Sequence, residues 1–77
     1  MVRLARGLNV SRRKDPSNNY VVIMDRETYE KLRDSLVKLG LNFETVGNIV
    51  IIRDRSWSRI EKLINKAREL SIDVFID

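Results

Sequence analysis

Leu41-Asn42-Phe43-Glu44-Thr45-Val46-Gly47-Asn48-Ile49-Val50-Ile51-Ile52-Arg53 is the stretch on which the fold turns. Its first six residues alternate, Gly47-Asn48 is a two-residue turn of the primed type, and Ile49 to Arg53 returns as a second strand, which together predict a β-hairpin. Placing Val46 opposite Ile49 pairs Thr45 with Val50, Glu44 with Ile51, Phe43 with Ile52 and Asn42 with Arg53. One face then collects Leu41, Phe43, Thr45, Val50 and Ile52, and the other Asn42, Glu44, Val46, Ile49, Ile51 and Arg53.

Helices flank this hairpin on both sides. Before it, Tyr29, Leu32, Leu36 and Leu39 recur at spacings of three and four, the stripe of an amphipathic helix. Asp25 stands at its N-cap position and Gly40 supplies a left-handed stop. The pairs Glu27–Lys31 and Asp34–Lys38 support its wet face at i,i+4. After the hairpin, Ser56 caps a second helix whose stripe is Trp57, Ile60, Leu63, Ile64, Ala67 and Leu70. Outermost lie two more strands. Tyr20 to Met24 is continuously apolar and is expected to be buried on both faces, and Ile72 to Asp77 alternates with Ile72, Val74 and Ile76 on one side.

The order strand, helix, strand, strand, helix, strand, joined by right-handed crossovers, predicts an α+β fold: a ferredoxin-like βαββαβ two-layer sandwich with an antiparallel sheet in the order 4-1-3-2. Its two central strands would be the two most continuously hydrophobic segments of the chain. The turn formers Asp15-Pro16-Ser17-Asn18-Asn19 separate this domain, residues 19–77, from a basic N-terminal arm, residues 1–18, expected to be flexible or folded onto the sheet or a partner.

Composition narrows the function. The chain has no Cys and no His, which removes disulfides, thiolate metal sites, Cys nucleophiles and the commonest general base. Its longest apolar runs, Val21 to Met24 and Ile49 to Ile52, are far too short to span a membrane. Residues 1–18 lack the apolar core of a secretory signal. They are Arg-rich and acid-poor, as transit peptides are, but their apolar residues trace no helical stripe. A cytoplasmic location is expected. No Gln and ten Arg suit a thermophile, while six Asn point the other way.

Charge is unevenly placed. Arg3, Arg6, Arg12, Arg13 and Lys14 face only Asp15 in the arm, so the whole net charge of +4 belongs there. Within the otherwise neutral body, Arg53, Arg55, Arg59, Lys62, Lys66 and Arg68 cluster around the second helix. A basic arm beside a basic helix is the footprint of a polyanion binder. Those ten positions, Arg3, Arg6, Arg12, Arg13, Lys14, Arg53, Arg55, Arg59, Lys62 and Lys66, are the candidate nucleic-acid contacts. The same residues also suit a solvated face with ion pairs to Glu61 and Glu69. Trp57 could stack a base, or simply belong to the core.

No catalytic constellation emerges. Asp25 and Asp54 close antiparallel strands at opposite edges, Ser56 and Ser58 have no base, and Gly7, Gly40 and Gly47 are too scattered to cradle a phosphate. Over residues 20–77 the element order resembles the RNA recognition motif, which stacks bases on aromatic residues of its central strands. Here Ile49-Val50-Ile51-Ile52 has no aromatic residue and Tyr20-Val21-Val22-Ile23-Met24 has one at its start, so that mode is not expected. The sheet face away from the helices instead gathers Val46, Ile49, Ile51 and Phe75, too much aliphatic surface to stay wet. It is expected to be covered by the arm, by a second copy in a homodimer, or by a protein partner. The expectation is therefore a non-enzymatic nucleic-acid-binding or nucleoprotein-associated module, without metal or cofactor. The alternative is a protein-interaction or regulatory domain that uses the open sheet face and ignores nucleic acid.

Overall fold

The computed structural model describes residues 6–77. Seven elements follow in chain order: β1 (Leu8–Ser11), β2 (Tyr20–Asp25), α1 (Arg26–Leu39), β3 (Phe43–Val46), β4 (Ile49–Asp54), α2 (Trp57–Glu69) and β5 (Val74–Ile76). The architecture is α+β, with two helices layered on one face of a five-stranded mixed sheet in the order β3-β4-β2-β1-β5.

Local signals place most elements where the periodicity predicts them. The hairpin register has Val46 opposite Ile49 and Phe43 opposite Ile52. Asp25 caps α1 by accepting from the Thr28 amide, Ser56 caps α2 by accepting from the Arg59 amide, and Gly40 ends α1 at φ 69°. Tyr29 meets Phe43 with ring centroids 5.0 Å apart, which seats β3 beneath α1.

The sheet order departs from 4-1-3-2. Arm residues Leu8–Ser11 form a strand that inserts between β2 and β5, antiparallel to the former and parallel to the latter. Without it the remaining order would be β5-β2-β4-β3, the expected one. What the insertion gains is burial of the strand's two apolar side chains beneath the helix layer. Leu8 and Val10 point into that layer at 0% and 2% exposure, while Asn9 and Ser11 point to the open face. Burying each of the two apolar side chains contributes roughly 2 kcal/mol.

β1 is held tightly at its start. The Leu8 amide donates to the Asp73 carbonyl at 2.9 Å, and the Asp77 amide to the Val10 carbonyl at 2.8 Å. Gly7 has φ 119°, and a Cβ there would stand 2.3 Å from the Asp73 carbonyl oxygen, so the close approach to the β5 connection requires glycine. The Gly7 amide in turn donates to Asp25 Oδ1 at 3.1 Å. Asp25 thus ties β1, the end of β2 and the first turn of α1 together. Burial works to raise its pKa, but the Thr28 hydroxyl, the Gly7 amide and the Thr28 amide all donate to the charged form and pull it below the ordinary value.

A second correction concerns β2. Val22 and Met24 are fully buried, but Val21 and Ile23 are only half-buried, because one face of the strand lacks a covering layer. Central position in the sheet buries a strand's flanks, and only a second layer buries its other face. The core consists of Leu8, Val10, Val22, Met24, Val50 and Ile52 from the sheet, packed against Leu32, Leu36, Ile60, Leu63, Ile64 and Ala67 from the helices, with Leu41 and Ile72 from the segments that follow them.

Candidate nucleic-acid interface

One end of the molecule gathers the end of β1, the start of β2 and the first turn of α2. Arg12, Arg13 and Lys14 leave β1 in a connection that Asp15 organises. Its carboxylate accepts from the Ser17 and Asn19 amides, both at 2.9 Å. That turn lays two of the three basic side chains over aromatic rings. The Arg12 guanidinium lies 6.0 Å from the Trp57 ring centroid, and Lys14 Nζ lies 5.2 Å from that of Tyr20. The rings themselves contact each other, with centroids 5.1 Å apart and planes inclined at 58°. Both are half-buried, so each packs on the core with one part and meets solvent with another.

From this cluster an open groove of about 530 Å³ runs along α2 toward Arg68. Trp57, Glu61, Ile64, Asn65 and Arg68 line it at helical spacings of four, three, one and three, opposite Tyr20, Arg12 and the edge residue Ile76. Arg12 and Arg68 thus flank an aromatic and aliphatic floor that carries one carboxylate and one amide, with Lys14 over the Tyr20 ring at its mouth. The other flank of α2 faces α1, where Lys38, Lys62 and Lys66 border a separate shallow groove with Ser35 and Asn65.

The ten basic positions singled out from the sequence do not form one surface. Arg3 lies outside the described residues. Arg6 is exposed at the opposite end of β1, beside Lys31 and Asp73 rather than α2. Arg53 is on the open sheet face, paired with Glu44 and 3.8 Å from Asp15. Its position on β4 turns it away from the helices, because residues 50 and 52 take the inward places. Arg59 lies 3.6 Å from Asp54, and Lys66 3.8 Å from Glu69. Arg12, Arg13, Lys14, Arg55 and Lys62 are exposed and make no ion pair among the described residues.

Tyr20, Asn65 and Arg68 complete the groove without having stood among the candidates. The signal for Asn65 and Arg68 was the second stripe of α2, at residues 57, 61, 64, 65 and 68, which runs beside the apolar one and shares Trp57 and Ile64 with it; Tyr20, on β2, joins them only through the packing of the sheet on α2. The carboxylates Asp25 and Asp54 stand at opposite ends of the β2–β4 ladder. Asp54 is engaged locally, accepting from the Ser56 amide at 2.9 Å. Among the described residues no group of acidic side chains is arranged to hold a metal ion, and no helix is long and apolar enough to cross a membrane.

On the open sheet face, Val46 and Phe75 are 53% and 45% exposed, and between them lie the half-buried Val21, Ile23, Ile49 and Ile51. β1 widens this face and contributes only the polar Asn9 and Ser11 to it. Leu8 and Val10 are spent on the opposite side, so residues 6–18 do not lie across the aliphatic patch. The chain matches no known family model, no curated protein and no solved structure.

Proposed function

We propose that this protein is a small, non-enzymatic nucleic-acid-binding module whose working surface is the β1–β2 connection together with α2. The observation that carries this reading is the placement of Arg12 and Lys14 over Trp57 and Tyr20 at the mouth of a groove that ends at Arg68. Cations beside solvent-facing aromatic rings offer both of the attractions that nucleic acids supply partners for, phosphate charge and base stacking. Arg55 and Lys62, exposed on the neighbouring flank, extend the positive field.

The test is binding of labelled duplex DNA and single-stranded RNA across a salt series, with the native chain and an Arg12→Gln/Lys14→Gln variant. Both substitutions are at exposed positions and leave the core intact. Affinity should fall linearly on a log–log plot, and the double variant should lose about 1.4 to 1.8 units of slope, since each phosphate contact contributes about 0.7 to 0.9. Binding by the variant with an unchanged slope would move the anchor elsewhere. No binding by the native chain at ~50 mM salt, where such contacts are strong, would remove the function itself.

A second reading rests on a different observation, the aliphatic open face. Val46, Ile49, Ile51 and Phe75 form a patch of the kind that packs against a second sheet. Its flank is electrically balanced by the Glu44–Arg53 pair, so two copies could meet there without repulsion. Homodimerisation through this face is compatible with nucleic-acid binding, because α2 and the β1–β2 connection stay outside it. Without nucleic-acid binding it becomes the whole function.

A further inference from the structure

Resting on the nucleic-acid reading above, we infer that the groove along α2 takes a single strand, with one base stacked at Trp57 and the backbone held by Arg12, Lys14 and Arg68. A duplex presents phosphates on a convex surface and keeps its bases inside the stack, so it can reach the cations but not the rings. A single strand exposes both. The groove provides for both along one line. Trp57 and Tyr20 form an apolar platform at its mouth, and Arg68 stands three helical turns further along α2. Eleven residues of helix give that line a length of roughly 16 Å, enough for a short run of nucleotides at the small end of known single-strand sites.

Arg12 marks the ring surface that a base would use. It covers Trp57 from the exposed connection, not from the core, so a base can enter by displacing or joining the guanidinium without disturbing packing. Glu61 gives the site a chemical preference. One turn beyond Trp57, it places an acceptor-only carboxylate on the groove wall, which repels phosphate but accepts from exocyclic amino groups. Asn65 adds a donor and an acceptor beside it. Cytosine and adenine, which present an amino group, should be favoured over thymine and uracil, whose one ring N–H is flanked by two carbonyl oxygens that the carboxylate repels.

The chain has one tryptophan, so its emission reports on this site alone. The experiment titrates the full chain with oligocytidylate and oligothymidylate DNA, oligocytidylate RNA and a duplex of equal length, following Trp57 fluorescence and, independently, the anisotropy of end-labelled strands. The expected result is quenching by single strands with a log–log salt slope near −2, from three contacts of about 0.7 each. Arg68→Gln should reduce that slope by about 0.7. Cytidylate should bind about tenfold or more tighter than thymidylate, a margin that Glu61→Gln should erase, because a hydrogen bond to a charged acceptor is worth at least about that factor. Equal DNA and RNA affinities at matched base type would assign recognition to phosphate and base, and a large gap would add the 2′-hydroxyl as a third contact; both support a single-strand site. Duplex binding at equal affinity without quenching would overturn the single-strand inference and leave the nucleic-acid reading standing. Absence of binding in every arm would overturn both.

Discussion

Replacing Gly7 with Ala tests the inserted strand more sharply than any core truncation. At this position φ is 119°, and an added Cβ would lie 2.3 Å from the Asp73 carbonyl oxygen and 3.1 Å from its carbon. Two costs combine. Holding a non-glycine residue at such a dihedral costs about 1 to 3 kcal/mol. Relief of the overlap also requires the Asp73 carbonyl to retreat by about 1 Å, which stretches the 2.9 Å bond it accepts from Leu8 and leaves the amide of the buried Leu8 poorly paired, at roughly 1 to 2 kcal/mol. The sum is about 2 to 5 kcal/mol, a large part of the ~4 to 12 kcal/mol expected for a domain of this size. Gly40 is the control. Its φ of 69° is also left-handed, but an added Cβ meets nothing within 4 Å, so Gly40→Ala should cost about 1 kcal/mol. Urea unfolding followed by far-ultraviolet circular dichroism reads both. With a slope near 1 kcal/mol per molar, the midpoint should fall by about 2 to 5 M for Gly7→Ala and about 1 M for Gly40→Ala. Equal shifts would mean that β1 does not press against the Asp73 segment, and the sheet order β2-β1-β5 would be wrong.

Three further outcomes follow from particular contacts. Because the Asp25 carboxyl titrates below its ordinary value in the folded chain, the stability it contributes is complete above the unfolded value and is lost as pH falls through the lower folded one. Asp25→Asn should therefore flatten the acid limb of a stability–pH profile, and an unchanged limb would show that the Gly7 and Thr28 bonds do not favour the charged form. Ile51→Glu places a second carboxylate across from Glu44 on the open face. The native chain should sediment as a dimer and the variant as a folded monomer, because burying that pair in an interface would cost several kcal/mol; a variant that stays dimeric would put the interface elsewhere. Amide exchange should be slowest in β2, which has β4 on one side and β1 on the other, and faster in the edge strand β5. The reverse ranking would contradict β2 as the central strand.

Much of this architecture is written in local pattern. Period-3.6 stripes specify α1 and α2, Asp25, Ser56 and Gly40 mark their ends, and the Gly47-Asn48 turn sets a hairpin register that the structure keeps from Val46–Ile49 to Phe43–Ile52. Each of these depends on neighbours within a few positions, so the chain carries the information itself. Leu8-Asn9-Val10-Ser11 is different. Four alternating residues are too short to declare a strand, and whether they form one depends on edges offered by β2 and β5, which lie about ten and sixty residues away in sequence. That non-local pairing turned an arm into the fourth member of the sheet. It also decided the candidate site. The basic residues were visible from composition, but only the return from β1 to β2 laid Arg12 and Lys14 over Trp57 and Tyr20. Arg53, adjacent in sequence to the rest, was carried to the opposite face by the two-residue period of β4. Periodicity assigns a side chain to a face of its own element; which other faces it meets is settled by how the elements pack.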